Sequence, residues 1–431
     1  MASTYAYRTM DLTADGGYTS RFVFSAWVKR SKLGYANAPL FSIHKDNSNT
    51  VSKTNFNFNA SDQLSFTMQD SGGIEDSEYQ TNRVFRDTSA WYHIYLAYNS
   101  TLSTVADRFQ IYVNGVRETS FAQANEVSSN FGTLMSSSMD FRIGLMKNNS
   151  GTAYYFDGLM NSAIFTNYQS GTVDPVTDFG EYDANGVWKI KVSPSITYAS
   201  QGVFVLKNGN SLTDQSGQSN NMTVGGTLTN TEDSPSNVFA TWNPLDNYYP
   251  AMTLSEGNTK ALTTVPDKYT YIPTTLGMTS GKYYAEIKVT AQSGSENEFL
   301  IGITSTSTGV GTAELGNYAN DYGYFGLTGQ WRTNNIISSY GSAYTVGDII
   351  GIAVDLDNNK LYFSKNGTYQ NSGVPTSGST GTGAISITDP TLTSRGAYFF
   401  AVCNFSTTTT ATFDANFGNG YFGTTAVASA G

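Results

Sequence analysis

Apolar and polar residues alternate in short runs along much of the chain, most clearly between Asp348 and Gly367. Ile349, Ile350, Ile352 and Val354 lead to a polar tip at Asp357-Asn358-Asn359, and the chain returns through Leu361 and Phe363 to a second turn at Asn366-Gly367. Asn and Asp tolerate left-handed backbone angles, so this stretch predicts a strand, a tight turn and a returning strand. Far upstream, Trp91 to Tyr98 followed after a polar excursion by Arg108 to Gly115 repeats the design. One hairpin type used twice, so far apart, predicts two β-sandwiches in tandem.

Around the upstream hairpin lie further strand-like runs at Phe22–Arg30, Leu40–Ile43, Thr54–Phe58, Gln63–Met68, Phe141–Gly144 and Tyr154–Phe165. Closely spaced short strands without helical periodicity imply a sandwich. The downstream half reads the same way. Gly281–Val289 alternates, with Tyr283, Ala285, Ile287 and Val289 on one face; Phe299–Ile303, Tyr322–Gly326, Tyr398–Phe405 and Ala411–Gly418 follow. Between the halves, residues 178–253 are turn-rich, as in Gly186-Val187-Trp188-Lys189, Asp214-Gln215-Ser216-Gly217 and Asp233-Ser234-Pro235-Ser236-Asn237. A flexible linker has no use for Trp188, Phe204 and Trp242, so this connector is expected to pack. The expected organisation is all-β: sandwiches over 1–177 and 254–431 joined by the connector, with a frayed tail after Gly420.

Composition supports this class. The 431 residues include 29 Tyr, 25 Phe and 42 Gly, and only 13% are charged, about half the usual quarter. Aromatic residues suit pleated surfaces and glycine suits turns. The formal net charge of −10 and the lack of any Lys/Arg cluster exclude a nucleic-acid groove. Cys403, the one cysteine, excludes an intrachain disulfide framework and reads as a small core residue within a buried strand. No signal peptide is expected, because the N-terminus shows neither a basic nor an apolar leader region. No apolar run is long enough for a membrane helix, so no membrane insertion is expected.

The order Ala26-Trp27-Val28-Lys29, Trp91-Tyr92-His93, Ile111-Tyr112-Val113-Asn114-Gly115, Phe156-Asp157-Gly158 resembles the laminin G-like, concanavalin A-like jelly rolls. The succession from Gly281 through Gly347-Asp348 to Asn366-Gly367, closed by Ala411–Gly418, resembles the SPRY (B30.2) domain. The residues between resemble the connector joining such domains in structural proteins of phages, particularly marine ones. The resemblance implies a protein of the virion surface, assembled in the host cytoplasm and released by lysis. Its expected role is an adhesin, such as a tail fibre or receptor-binding component, contacting host glycans or surface proteins without catalysis. A capsid decoration or head-fibre protein binding other virion proteins is the alternative, since neither heptads nor an extended shaft appear. Virion appendages follow the symmetry of their attachment points, so a homo-oligomer is expected.

The concanavalin A-like fold includes glycoside hydrolases, which need two carboxylates roughly 5 to 9.5 Å apart. The jelly-roll glucanases place them as Glu-x-Asp-x-x-Glu on one strand. The nearest match, Glu181-Tyr182-Asp183, has Gly186 in the third position and lies in the connector; a polysaccharide depolymerase is the least favoured reading. Two histidines, His44 and His93, form neither a triad nor a metal set, and His93 reads as a partly buried residue beside Trp91. Asp355, Asp357 and Asn359 imitate the start of a calcium loop but lack its Gly and terminal Glu, so a hairpin turn is expected. No cofactor is expected beyond a calcium ion, for which the laminin G-like resemblance offers Asp157. Gly309-Val310-Gly311 lacks the lysine of a phosphate loop and reads as loop. For ligand binding, the SPRY-like resemblance points to loops before the main hairpin: Tyr318, Trp331, Arg332, Asn334 and Tyr340, whose Tyr, Trp and Arg are the usual interface anchors.

Overall fold

The computed structural model describes residues 3–11, 20–44, 53–69, 75–131, 139–147, 151–168, 171–207, 209–247, 251–267, 269–306 and 313–419. The Gly309–Gly311 loop and the tail beyond Gly420 lie outside these residues. The regular structure of the described chain is β-strand with a few 3-10 turns, and the chain divides into two compact units, Met1–Val238 and Phe239–Gly431.

The first unit is a β-sandwich. Its six-stranded sheet runs in the order Val203–Val205, Gly158–Asn167, Arg21–Arg30, Tyr92–Asn99, Phe109–Val113, Val116–Arg117. An eight-stranded sheet packs against it, with Lys53–Asn59, Asn37–His44 and Met139–Ile143 at its centre. The enclosed core is aromatic: Phe22, Phe24, Phe41, Phe56, Phe66, Phe141 and Phe165 are buried together. Strand alternation sends the opposite residues of the central strands outward. Val23, Trp27, Tyr95, Ala97 and Ile164 therefore form a separate buried cluster, covered by Val176, Phe179, Trp188 and Phe204. Residues from 178 onward thus act as a lid on one sheet face rather than as a free-standing segment, which is why they lack a two-residue period.

The second unit repeats the plan. Ile349–Asp355 and Lys360–Lys365 form the expected hairpin, with Asp355 paired to Lys360 and Asn359 in the left-handed region. The hairpin sits beside Lys282–Gln292 and Ala411–Asn416 in one sheet. The facing sheet runs in the order Thr270–Pro273, Phe399–Asn404, Phe299–Thr304, Asp321–Phe325, Gln330–Thr333, Ile336–Ser339. Ile301, Ile303, Tyr324, Ile350, Ile352, Phe363 and Phe413 fill the space between. Ala285, Ile287 and Val289 point into it as expected, whereas Tyr283, at the strand's start, is exposed. Trp242 is fully buried in this unit's core, so the turn-rich residues 178–253 are shared between the two units.

Both hairpins end on Asn-Gly with positive φ at each residue, +49° and +77° at 114–115 and +49° and +82° at 366–367. Such turns match the right-handed twist of the flanking strands. Gly302 illustrates close backbone approach: a Cβ there would lie 1.8 Å from the Tyr322 carbonyl oxygen.

Candidate functional site

Period two decides what the edge of the second unit's six-stranded sheet presents. On the strand Gln330–Thr333, Trp331 turns inward, stacks on Tyr322 at 6.2 Å and packs against the core. Arg332 turns to the outer face. There its guanidinium lies over the Phe405 ring at 5.2 Å and pairs with the Glu314 carboxylate at 2.7 Å. The same nitrogen, Nη2, also donates to Asn335 Oδ1, while the buried Nε has no hydrogen-bond partner among the described residues. Leu300, Phe325, Phe405 and Ile337 complete a cleft of about 40 Å³ beside it.

The turn that follows is fixed by backbone contacts. Asn334 and Asn335 both have positive φ, and their N–H groups donate to the carbonyls of Tyr318 and Gly316 at 3.0 and 3.1 Å. Tyr318, Arg332 and Asn334 are thereby brought to one corner. Tyr340 does not join them. It is only 8% exposed, belongs to the core, and its hydroxyl accepts the Phe363 backbone N–H at 3.0 Å. Trp331, on the inward face, contributes one edge of the cleft. What the sequence reading passed over is the apolar surface around the corner. Ile336 is 60% exposed, Ile337 54% and Leu327 45%, and Ile336–Ser339 is the open edge strand of the sheet.

The groups weighed for chemistry are engaged elsewhere. Asp183 accepts the backbone N–H groups of Asn185 and Val187, both at 2.9 Å, and the Val187 bond leads in holding its carboxyl below the usual range. His93 is fully buried, between Trp27 and Trp188 at centroid distances of 5.0 and 5.8 Å; the partly buried setting expected for it is corrected. An indole N–H only donates, so the 3.0 Å contact from Trp188 Nε1 makes His93 Nδ1 the acceptor. The imidazole proton then sits on Nε2 and is donated to Ser25 Oγ at 2.9 Å. Desolvation holds this imidazole's pKa down to about 3. Cys403 is buried, and its thiol is pushed up by burial.

Asp357 accepts the Gly281 N–H at 2.8 Å, and Asp355 accepts from Asn358 and Lys282, so the calcium-like spacing serves the hairpin turn. Asp157 is partly buried and its carboxyl is raised by burial, against the opposing pull of Lys32. Among the described residues no three acids, histidines or cysteines gather into a metal set. A lone acid with a lysine for company does not fit calcium, which takes six to eight oxygens.

One buried ion pair escaped the sequence reading. Lys29 Nζ lies 2.6 Å from Asp233 Oδ2, both side chains being almost wholly inaccessible, and Trp91 Nε1 donates to Asp233 Oδ1 at 2.8 Å. It pins the turn Asp233–Asn237 onto the six-stranded sheet of the first unit. Partners so distant in sequence leave no local signal.

Comparison with known families assigns the two units. Residues 3–168 match the family described as the concanavalin A-like lectin/glucanases superfamily, and residues 282–388 match the SPRY domain. The chain carries a laminin G-like, concanavalin A-like domain followed by a SPRY domain. Among curated proteins it is similar to Ran-binding protein 9 of Danio rerio, 33% identical over 89 residues, covering 20% of this chain and 14% of that protein. It is also similar to the ATP-dependent RNA helicase DDX1 of Xenopus laevis, 33% identical over 94 residues, covering 22% and 12%. The chain thus spans about an eighth of the length of these relatives. Among solved structures, the SPRY domain of human HERC1 aligns at 16% identity and a TM-score of 0.29, covering 38% of this chain and 91% of that one. The corner at Arg332 and the edge strand Ile336–Ser339 belong to the SPRY domain.

Proposed function

We propose that the chain is a non-catalytic binding protein whose SPRY domain docks a protein partner along Ile336–Ser339, in an adhesin-type role on a virion surface. One observation carries this reading: Ile336 and Ile337 are both exposed on an open edge strand, one on each face, with Ile337 beside the largely buried Arg332–Glu314 pair. Exposed apolar patches rimmed by polar groups mark protein contacts, and an open edge offers backbone hydrogen bonds to an added strand. Aliphatic side chains and backbone groups fit a polypeptide better than a sugar. The name of the relative Ran-binding protein 9 likewise describes a protein ligand.

The virion setting is supported by the resemblance of residues 178–253 to connectors of phage structural proteins. The use of Asp183 in a turn and of His93 inside an indole stack supports a role without catalysis. In the decoration reading the same edge would meet another virion protein, and its aliphatic character favours that version equally. The test measures binding of the purified chain to host envelopes and to particles lacking it. Replacing Ile336 and Ile337 by Asp is expected to weaken whichever interaction is found by about tenfold or more. A folded double variant that binds like the unaltered chain would remove this edge from the function.

A further inference from the structure

A second surface, on the outer face of the first unit, has a different chemistry. Trp27, Trp91 and Trp188, none more than 8% exposed, bring their edges to the lining of a groove of about 460 Å³. Val116, Tyr182, Val187 and Val238 stand exposed around it, an apolar rim gathered from four places in the chain. Gly115 and Gly180 seat Trp188, since a Cβ on either would come within 2.5 Å of its ring.

The hydrogen-bonding sense of the groove is one-sided. The N–H groups of Trp91 and Trp188 are taken by Asp233 and His93. That of Trp27 is buried and has no partner among the described residues. Asn114 turns its carboxamide oxygen to the His93 backbone N–H at 2.8 Å, which leaves its NH₂ end for an acceptor. Lys189 adds a cation at the rim, 3.8 Å from Asp183 Oδ2. The nearby acid Asp233 already receives both Lys29 and Trp91. The groove therefore offers the edges of its tryptophans, the exposed Tyr182 ring and donors, with the nearby carboxylate already committed.

We propose that this groove binds a proline-rich segment in the polyproline II conformation. Proline has no backbone N–H, so such a segment brings carbonyl acceptors without the donors that would need answering here. Its extended helix has no internal hydrogen bonds and little ordering entropy to lose, and its rings pack between aromatic side chains. A saccharide stacks equally well on indoles, but each hydroxyl also brings a donor, and the groove holds few acceptors for them. The proposal concerns the concanavalin A-like domain and stands independently of the SPRY edge, so either can fail alone.

The test titrates the full chain with a synthetic decaproline peptide and follows tryptophan fluorescence, with a Gly-Ser peptide of equal length and neutral and uronate oligosaccharides as comparisons. Decaproline is expected to give a saturable change, and the Gly-Ser peptide none. Trp27→Phe keeps a ring but loses the N–H, and should weaken binding about tenfold. Val187→Asp, at an exposed position, should weaken it while leaving the unfolding curve unchanged. Three results would overturn the proposal: no saturable response at millimolar decaproline, unaltered affinity in both variants, or an oligosaccharide that binds where decaproline does not.

Discussion

Acidification should destabilise the concanavalin A-like domain through one imidazole. His93 is held neutral on both sides: burial between two indoles removes its solvation, and Trp188 Nε1 points a donor at Nδ1. Adding a proton would set N–H against N–H in a site closed to solvent. The folded pKa is about 3 against 6.5 for the free side chain, so the unfolded chain takes up the proton first. The stability this group contributes is complete above the unfolded value and is lost as the pH falls toward the folded one. Between pH 7 and 4 the loss is about 3.5 kcal/mol, from roughly 2.5 pH units at about 1.4 kcal/mol each. Urea unfolding across this range should be compared between the unaltered chain and His93→Gln, whose amide supplies one acceptor and one donor and does not titrate. Groups shared by the two proteins cancel in the difference. With only two histidines in the chain, ring proton resonances report directly whether His93 stays neutral at pH 5. Parallel stability profiles for the two proteins, or a His93 resonance titrating near 6.5, would refute the reasoning.

Two further outcomes follow from buried charges. Asp233→Ala strands Lys29, 2% exposed, and should lower stability by about 3 to 5 kcal/mol, while a Lys29→Met/Asp233→Leu double variant should recover most of it; chemical denaturation of both measures the difference. In the SPRY domain Asp321 is raised to about 6 by burial, partly offset by the bond from Thr304 at 2.7 Å. Its folded value lies above the unfolded 3.8, so its contribution is present below about pH 4 and lost as the pH rises through 6. Asp321→Asn should flatten that decline in denaturation curves taken from pH 4 to 7.

The sandwiches were legible because half-buried strands repeat every two residues and Asn-Gly marks the tips at 114–115 and 366–367. The same period already implies that Trp331 and Arg332 face opposite ways and cannot share one surface. Tyr340 was misplaced because a tyrosine after a short edge strand looks alike whether its ring meets solvent or the Phe363 backbone; only the fold decides. Trp188 was visible as a residue too costly for a free linker, and Asp233 only as part of a turn. Their destinations were not, because a lid held by single long-range contacts, such as Trp188 on His93 and Asp233 on Lys29, has no periodicity to read. The exposed isoleucines of the SPRY edge passed unnoticed since an Ile-Ile pair in a strand ordinarily signals core.

The strand Ile336–Ser339 has a consequence for how the protein behaves at different concentrations. It contains no lysine or proline, the residues that usually keep exposed edges from joining. A second copy laid along it would consume the same backbone groups that a partner strand requires. Ligand capture, as proposed for this edge, and self-pairing would then draw on a single row, and apparent affinity would fall as the protein is concentrated and recover on dilution.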